Sequence, residues 1–342
     1  MKIGFLYNVK LVAPSLTDET AQIYAEFDSP ETIEGIKKAI ESNGHQVHMI
    51  EANEEAYNKL KTLKEKSEID LVFNIAEGIY GEAREAQIPA MLEMLKIPYT
   101  GSGPINLAIT LDKARTKEIL SYYKIPNAKF QVFSNSNEKL NLKLKFPLIV
   151  KPLNEGSSKG IMDNCVLRSQ EELKNKLNEI NNKFNQPAIV EEFLEGREFT
   201  VAVLEDLSGP KVLPIIEVKF NELPENMNKI DSYEAKWFYD DPSKGIDPLV
   251  CPAEIDKKLE NKIKKVALKT FNVLNCKDFS RLDIRLDKNG NPNVIEVNAL
   301  PGIIPNPDEN SRFPRAARVA GIEYNKLIKM VIDSAIKRYK LK

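Results

Sequence analysis

The sequence has few of the residues that most often carry metal, redox or acid–base chemistry. Its 342 residues include two histidines and three cysteines. Cys165, Cys251 and Cys276 are too far apart for a metal-binding or redox motif, so we expect buried, reduced thiols and a cytoplasmic location. His45 and His48 stand at the start of a predicted strand, where half-exposed imidazoles are the ordinary case. Carboxylates, lysines, arginines, hydroxyls, backbone amides or a metal must therefore supply any chemistry.

The sequence also lacks a charge excess and a long apolar run. Its 49 basic and 50 acidic residues leave a formal net charge of −1, which gives no electrostatic case for binding nucleic acid or an anionic membrane. No apolar run is long enough to cross a bilayer, and the first residues, MKIGFLYNVK, are typical of a strand rather than a signal peptide. The length favours two or three packed domains.

Strand and helix patterns alternate along the first hundred residues, which predicts an α/β fold with a parallel sheet. The predicted strands lie at 2–7, 46–50 and 69–75, and the predicted helices at 31–43, 53–66 and 83–95. Farther along, strands outnumber helices, so an α+β arrangement is expected toward the C terminus. The polar, poorly periodic stretch at 221–250 is long for a loop, and such loops often form lids or binding segments.

A charged hairpin is predicted at 280–302, SRLDIRLDKNGNPNVIEVNALPG. Two alternating runs flank Asn289-Gly290, a pair that favours a two-residue turn. With that turn, three pairs of residues on one face would lie directly opposite each other across the two strands: Arg281 and Asn298, Asp283 and Glu296, and Arg285 and Val294. The other face would carry Leu282, Ile284, Leu286, Ile295 and Val297.

The opposed carboxylates of Asp283 and Glu296 predict a cation site. Directly opposed residues have Cβ atoms roughly 5 Å apart, and two carboxylates at that distance repel unless a cation lies between them. A hard cation with oxygen ligands fits, and Asn298 adds a third oxygen. An amphipathic hairpin with a polar outer face also explains the alternation, but it does not explain why like charges are opposed.

A loop rich in glycine and serine follows an apolar strand in FPLIVKPLNEGSSKGI (146–161). The strand carries Lys151, and the loop contains Gly156, Ser157 and Ser158. Successive backbone N–H groups in such loops can bind an anion, and glycine allows close approach. The GxxxxGK[ST] spacing of a P-loop is absent. On these residues alone, a plain hairpin and a phosphate-binding loop are both open.

The order of these segments gives a family resemblance. KP-x-x-EGSSKG, VEEFLEGREFTV and RLDIRLD…VIEVNALPG follow one another as in the ATP-grasp superfamily, and within it the chain resembles the D-alanine–D-alanine ligase family. The resemblance covers almost the whole chain, including segments at 77–117 and 231–255. It implies an ATP-grasp fold with an N-terminal parallel α/β domain at 1–105, a central subdomain at 106–205, and a C-terminal subdomain at 206–342 with a lid loop at 221–250.

The resemblance implies that ATP phosphorylates a carboxylate and that an amine then displaces phosphate from the acyl phosphate. ATP and two Mg²⁺ ions would be needed, and Mn²⁺ could replace Mg²⁺. The implied metal ligands are Asp283, Glu296 and Asn298. The implied ATP-binding residues are Lys113, Lys151 and Ser158 for phosphates, Glu191 with Phe193 and Leu194 for adenine, and Glu198 for ribose. The implied catalytic residues are Arg281, Ser157, Gly302 and Lys236.

The half of the chain that would bind the first substrate departs from the family pattern. YNVKLVAPSLTDE replaces an early glycine-rich stretch that carries a serine and a glutamate. Glu77 stands where the family has a histidine, and Trp237 where it has a lid tyrosine. Glu77 or Glu82 could bind a substrate ammonium group, or could be a carboxylate favoured by a helix start. Trp237 could equally be a packed loop anchor, and Ser311 would lie beside the second substrate's carboxylate.

Three functions therefore remain open at this stage. The first is a peptide-forming ligase that acts on amino acids or short peptides. The second is an ATP-grasp ligase for other small acids and amines, in amino-acid or secondary metabolism. The third is a nucleotide-binding regulator without turnover, although the charged set around Arg281 has no obvious use in such a protein. The resemblance is also compatible with a homodimer.

Overall fold

Three sheets, each with its own helices, make up the part of the chain that the computed structural model describes: residues 1–12, 15, 24–221, 223–240 and 245–341. In that part of the chain, no helix combines the length and the apolar character that a bilayer crossing requires.

The N-terminal sheet is parallel, as the sequence predicts. Its strands are β1 (Lys2–Tyr7), β2 (Gln46–Glu51) and β3 (Leu71–Asn74), in the order β2-β1-β3. Its helices are α1 (Pro30–Ser42), α2 (Ala56–Glu65) and α3 (Gln87–Leu95). The side chain of Ser29 caps α1 by accepting from the backbone N–H of Thr32, and the proline at the first helical position suits that helix start.

The second sheet is antiparallel and four-stranded. Its strands are β4 (Phe130–Phe133), β5 (Leu148–Pro152), β6 (Val166–Leu167) and β7 (Ala188–Glu192), in the order β4-β7-β5-β6. The helices of this part are α4 (Pro104–Leu111), α5 (Lys113–Tyr122) and α6 (Gln170–Phe184). Asp112 caps α5 by accepting from the N–H groups of Ala114 and Arg115, which fixes where Lys113 begins the helix.

The third sheet is antiparallel and six-stranded. Its strands are β8 (Glu198–Asp206), β9 (Gly209–Val212), β10 (Ile216–Val218), β11 (Leu249–Val250), β12 (Phe279–Leu286) and β13 (Pro292–Asn298). Their order is β11-β10-β8-β12-β13, and β9 pairs with β8. The accompanying helices are α7 (Tyr233–Phe238), α8 (Lys257–Val273), α9 (Arg312–Val319) and α10 (Tyr324–Tyr339).

One apolar core joins the N-terminal sheet to the six-stranded sheet. Phe5 of β1, Ile36 of α1, Phe279 of β12 and Phe313 of α9 are all fully buried in it. Asp278 adds a polar tie, because its buried carboxylate accepts hydrogen bonds from the Gly101 amide, the Ser334 hydroxyl and Arg338. The N-terminal part is thus packed directly on the sheet that carries the charged hairpin.

Several predicted elements differ from those observed. The helices α4 and α9 occupy stretches for which the sequence patterns predict no helix. The sequence pattern predicts one strand at 211–220, but the structure has two strands there, β9 and β10. It also predicts a strand near 161–167, of which only β6 is a strand because Asp163–Cys165 forms a 3₁₀ turn. Within the predicted lid loop, α7 is helical, whereas residues 222 and 241–244 lie outside the described residues. The domain boundaries stay a prediction, although β8 pairs with the C-terminal strands rather than with the central ones.

Candidate active site

The predicted pairing of the charged hairpin is confirmed at its functional end and wrong near its turn. Arg281 is opposed to Asn298, and Asp283 to Glu296. Beyond an irregularity after Asp283, the register shifts, so that Arg285 is opposed to Asn293 and not to Val294. Val294 packs into the core between the six-stranded sheet and α8, while Ile295 lines a cleft on the other face. A β-bulge at Ile295 explains both observations.

The turn of this hairpin explains why the bulge is needed. The amide of Asp287 donates to the carbonyl of Asn291, which leaves Lys288, Asn289 and Gly290 as a three-residue loop. Gly290 has φ of +73°, as a glycine that ends such a loop commonly does. The longer loop displaces the register by one residue, and the bulge displaces it back before Glu296.

Cations compensate the opposed carboxylates. Arg281 Nη2 lies 3.1 Å from Asp283 Oδ2, and Lys113 Nζ lies 3.3 Å from Glu296 Oε1. The hydroxyl of Thr200 on the neighbouring strand donates to Asp283 Oδ1 at 2.7 Å. Burial alone raises the pKa of Glu296, but Lys113 and other nearby cations hold it below its usual range. Both carboxylates line the same cleft.

That cleft lies between the four-stranded and six-stranded sheets. It is lined by every residue predicted to bind the base, the ribose or the metal except Asn298, and by most of those predicted for the phosphates: Lys151, Ser158, Glu191, Phe193, Leu194, Glu198, Asp283 and Glu296. Lys113 stands beside it through its ion pair with Glu296. Apolar side chains such as Ile149 and Ile230 line the same cleft and offer contact area for a nucleobase.

Two lysines surround Glu191 at the inner end of this cleft. Lys117 Nζ lies 3.1 Å from Glu191 Oε2, and Lys151 Nζ lies 3.4 Å from Oε1. Burial raises the pKa of Glu191, but these two ammonium groups lower it below its usual range. Sequence reasoning missed Lys117, although it lies four residues after Lys113 on α5, the spacing that puts two side chains on one helix face.

Glu198, predicted to bind ribose, is paired with an arginine that the sequence analysis left without a role. Arg285 Nη1 donates to Glu198 Oε2 at 2.6 Å, and both side chains are buried. The guanidinium lies 4.9 Å from the ring centroid of Phe193 and donates to the carbonyl of Lys229. Arg285 thus connects the Phe193 ring, the Glu198 carboxylate and the segment before α7.

The glycine- and serine-rich segment 154–160, called the phosphate loop below, runs along the other side of the cleft. Ser157 and Ser158 both have left-handed backbones, with φ of +50° and +59°. The hydroxyl of Ser158 donates to the carbonyl of Asp231 at 2.9 Å, which joins the loop to the segment before α7. Two consecutive left-handed serines turn the chain sharply at this point, and Ser158 lines the cleft.

A second cavity, of about 460 Å³, adjoins the charged hairpin on its N-terminal side. It is lined by all four residues predicted as catalytic and by three of the four predicted to bind substrates: Arg281, Ser157, Gly302, Lys236, Glu77, Trp237 and Ser311. Asn298 also lines it. The structure does not bring Glu82 into this cavity; that side chain is exposed and lines a separate cavity of about 550 Å³.

Lys236 and Trp237 enter this cavity from α7. Ser232 caps α7 by accepting from the N–H of Ala235, which orients the short helix. Burial, together with Arg281 and Arg312, lowers the pKa of Lys236 to about 8. The Trp237 ring lies between two ammonium groups, 4.8 Å from Lys10 Nζ and 5.7 Å from Lys236 Nζ. Trp237 is therefore a wall of the cavity as well as a packed side chain.

Partly buried carboxylates line another part of the cavity wall. Burial raises the pKa of Glu77 well above its usual range, and Glu85 and Glu26 raise it further. Burial raises the pKa of Asp28 to about 7, against the opposing effect of Lys10.

Comparisons with known proteins agree with this geometry. The family described as D-ala D-ala ligase C-terminus matches residues 119–333. The chain is 34% identical to a D-alanine–D-alanine ligase of Aquifex aeolicus, over 89% of this chain and 94% of that one. It is 33% identical to an uncharacterized protein of Sinorhizobium fredii, over 90% and 88% respectively. The crystal structure of a Bacillus anthracis D-alanine–D-alanine ligase complexed with ATP superposes with a TM-score of 0.70 at 26% identity, and the match covers 99% of each chain.

Proposed function

The chain belongs to the D-alanine–D-alanine ligase family and is an ATP-dependent ligase of that type, and we propose that it joins the carboxylate of one amino acid or short peptide to the amine of another. ATP would lie in the cleft between the two antiparallel sheets. The two substrates would lie in the adjoining 460 Å³ cavity, where Arg281 faces them.

The pairing of Asp283 with Glu296, beside Arg281 and Asn298, carries the proposal. These four residues lie where the nucleotide cleft meets the substrate cavity: the carboxylates line the cleft, and Arg281 and Asn298 line the cavity. A γ-phosphate at that junction would be within reach of a substrate carboxylate. Phosphoryl transfer depends mainly on such positioning and on charge neutralisation.

The donor set at this junction fits Mg²⁺. Asp283, Glu296 and Asn298 supply carboxylate and amide oxygens, which are the ligands that hard divalent cations prefer. Two carboxylates opposed on one face repel each other, and a divalent cation between them would add to the compensation that Lys113 and Arg281 provide. We propose that these three residues hold two magnesium ions, which would neutralise charge on the phosphates.

The cations of the chain would act on both stages of the reaction. Lys113 and Lys151 would bind the phosphates beside the phosphate loop, whose N–H groups would do the same. Arg281 would bind the transferred phosphoryl group and then the oxyanion that forms when the amine attacks. The Gly302 amide, at the far side of the same cavity, would be a second donor to that oxyanion. The amide bond forms as phosphate leaves.

The first substrate is proposed only as an amino acid or short peptide. Glu77 and Trp237 line the substrate cavity and stand where the resemblance implies a histidine and a tyrosine. A buried carboxylate and an indole ring make different contacts from the residues they replace. These positions support a first substrate other than D-alanine, while the residues of the activation chemistry are all retained.

A homodimer is proposed as the assembly. Met94 on α3 and Ile105 at the start of α4 have 71% and 76% of their surfaces exposed, which is unusual for large apolar side chains when it recurs on neighbouring elements. Light scattering after size-exclusion chromatography tests this, and a monomer mass would contradict it.

ADP release across a panel of D- and L-amino acids and short peptides, with Mg²⁺ and ATP, tests the proposed function. Mass spectrometry should find a product with the summed mass of two substrates less one water. Turnover with D-alanine alone would identify the family's reaction, whereas turnover with another pair would identify a changed specificity. If no amino acid or peptide provokes ADP release while ATP still binds, the peptide-ligase proposal is wrong.

A further inference from the structure

We propose that Glu26 is a positioning residue that holds the phosphate loop in the conformation needed for phosphoryl transfer. The inference rests on the proposed function, which assigns ATP phosphates to that loop. Glu26 precedes Gly156 by 130 residues and belongs to the N-terminal part of the chain, beside the wall of the substrate cavity. It therefore links the substrate side of the site to the nucleotide side.

Glu26 contacts the loop at two of its residues. The backbone N–H of Gly156 donates to Oε1 at 2.9 Å, and Lys159 Nζ lies 2.9 Å from Oε2. Arg84 completes the network from the N-terminal side, because its Nη2 lies 2.9 and 2.8 Å from the two carboxylate oxygens. The Nη1 of Arg84 also donates to the carbonyl of Asn154, the first residue of the loop.

The loop sequence accommodates this carboxylate at a specific glycine. A Cβ atom added at Gly156 would lie 2.4 Å from Glu26 Oε1, far inside van der Waals contact. Gly156 does not have a left-handed backbone, so conformational freedom does not explain the glycine. The close approach of the Glu26 carboxylate does explain it.

The contact between Glu26 and Gly156 affects the site through the two residues that follow Gly156. Ser157 and Ser158 are left-handed, a strained conformation for a non-glycine residue that persists only where surrounding contacts hold it. Ser157 lines the substrate cavity, and Ser158 lines the nucleotide cleft. If the loop relaxed at Gly156, the hydroxyls of Ser157 and Ser158 and the loop N–H groups would move. These groups border the substrate cavity on one side and the nucleotide cleft on the other.

The Glu26 carboxylate stays charged under all ordinary assay conditions. The Glu26 side chain is 5% exposed. Burial by itself raises its pKa, but Lys159 and Arg84 lower the pKa to about 2. Lys159 also pairs with Glu155 at 2.7 Å, so two carboxylates and two cations close the cluster. The role is constant positioning rather than a response to pH.

The Glu26→Gln variant tests the proposal by hydrogen exchange. The amide side chain has the same size but turns an N–H₂ group toward Arg84 or Lys159. We expect exchange of the loop amides, Gly156 above all, to become about 10-fold faster, while the β12–β13 hairpin keeps its protection. Glu217→Gln is the matched control, because Glu217 is a buried carboxylate with a two-point contact to Arg197, away from the loop.

Nucleotide binding gives a readout that a merely structural residue would not move. We expect Glu26→Gln to weaken AMP-PNP binding about 10-fold and ADP binding less than about 2-fold, because the inference places the γ-phosphate, which ADP lacks, against this loop. Lys159→Met should weaken AMP-PNP binding in the same direction, and the double variant should be less than additive. Unchanged exchange at Gly156, or equal losses for ADP and AMP-PNP, would overturn the proposal. Neither the exchange assay nor the binding assay needs turnover. A failure of this proposal can therefore be distinguished from a failure of the proposed ligase function.

Discussion

Asp283 and Glu296 face each other across two antiparallel strands, although the turn between those strands is one residue longer than the sequence predicts. The bulge at Ile295 compensates for the extra residue. The carboxylates that the account assigns to magnesium thus depend on a local irregularity, and such irregularities often lie beside active sites. Five predictions follow from this geometry and from the groups around it.

Asp283→Asn should lower kcat by about 100-fold or more, because it removes one of the two opposed charges at the junction. The fold should survive, since the amide keeps an oxygen that can accept from Thr200. Asp206→Asn is the control: it makes the same change at the C-terminal end of β8, away from Thr200, in a solvent-accessible pair with Lys211. Equal kcat values for the two variants would contradict the metal assignment.

Removal of divalent metal should abolish ADP formation, and added Mg²⁺ or Mn²⁺ should restore it. The reason is that Asp283, Glu296 and Asn298 offer oxygen ligands without a soft donor. Thermal unfolding should show that AMP-PNP raises the Tm more with Mg²⁺ than without it. A Tm shift that is identical in a chelator would count against metal binding at these residues.

The kcat/KM for ATP should fall above about pH 8. Burial and the neighbouring arginines lower the pKa of Lys236 to about 8, so the side chain is a cation below that pH and neutral above it. A neutral amine cannot attract the γ-phosphate, hence each further pH unit should lower kcat/KM about 10-fold. In Lys236→Arg the guanidinium stays charged, so the alkaline limb should vanish. A limb at the same pH in that variant would assign it to another group.

Trp237 should report substrate binding by fluorescence. It is the only tryptophan in the chain and lines the substrate cavity. The indole lies between two ammonium groups, and a bound substrate would change that environment. We expect a saturable emission change when the correct amino acid or peptide is added with AMP-PNP and Mg²⁺. The Trp237→Phe variant controls for nonspecific changes, and a flat titration with a substrate that is turned over would mean that Trp237 is only a packed anchor.

Asp278→Ala should lower the free energy of unfolding by about 3 kcal/mol, because it leaves Arg338 without its buried partner. The Gly101 amide and the Ser334 hydroxyl would lose their acceptor as well. Urea unfolding measures the loss. Asp333→Ala is the control. Asp333 lies on α10, the helix that carries Arg338, and its solvent-accessible pair with Lys329 should contribute less than about 1 kcal/mol. Similar losses in the free energy of unfolding for the two variants would contradict the stabilising role of the buried Asp278 carboxylate.

The sequence was sufficient to predict those site residues whose placement depends on neighbouring positions in the chain. The alternating pattern around Asn289-Gly290 predicts the opposed carboxylates, and two errors cancel there: the turn is longer, and the bulge restores the register. The face of Ile295 was predicted wrongly because a bulge has no signal in alternation alone. The fold class and the family were predicted correctly, since both rest on segments with specific residues at fixed spacing.

Long-range contacts could not be predicted in the same way. Glu26 reaches the phosphate loop from far away in the chain, and nothing in its neighbourhood marks it as a loop partner. The role of Arg285 depends on which side of β12 meets Glu198, a matter of sheet order. The helix α9 was missed because its buried start follows a stretch of prolines and asparagines that resembles a loop. In each case the decisive information is the packing of separate sheets.

The most direct test of the central claim is product analysis of ADP-forming reactions that contain Mg²⁺, ATP and pairs of amino acids or short peptides. The account predicts that ADP, phosphate and an amide product form in equal amounts for at least one pair, and that Asp283→Asn lowers all three together. ADP formation without an amide product, or ATP binding without turnover for every pair, would contradict it.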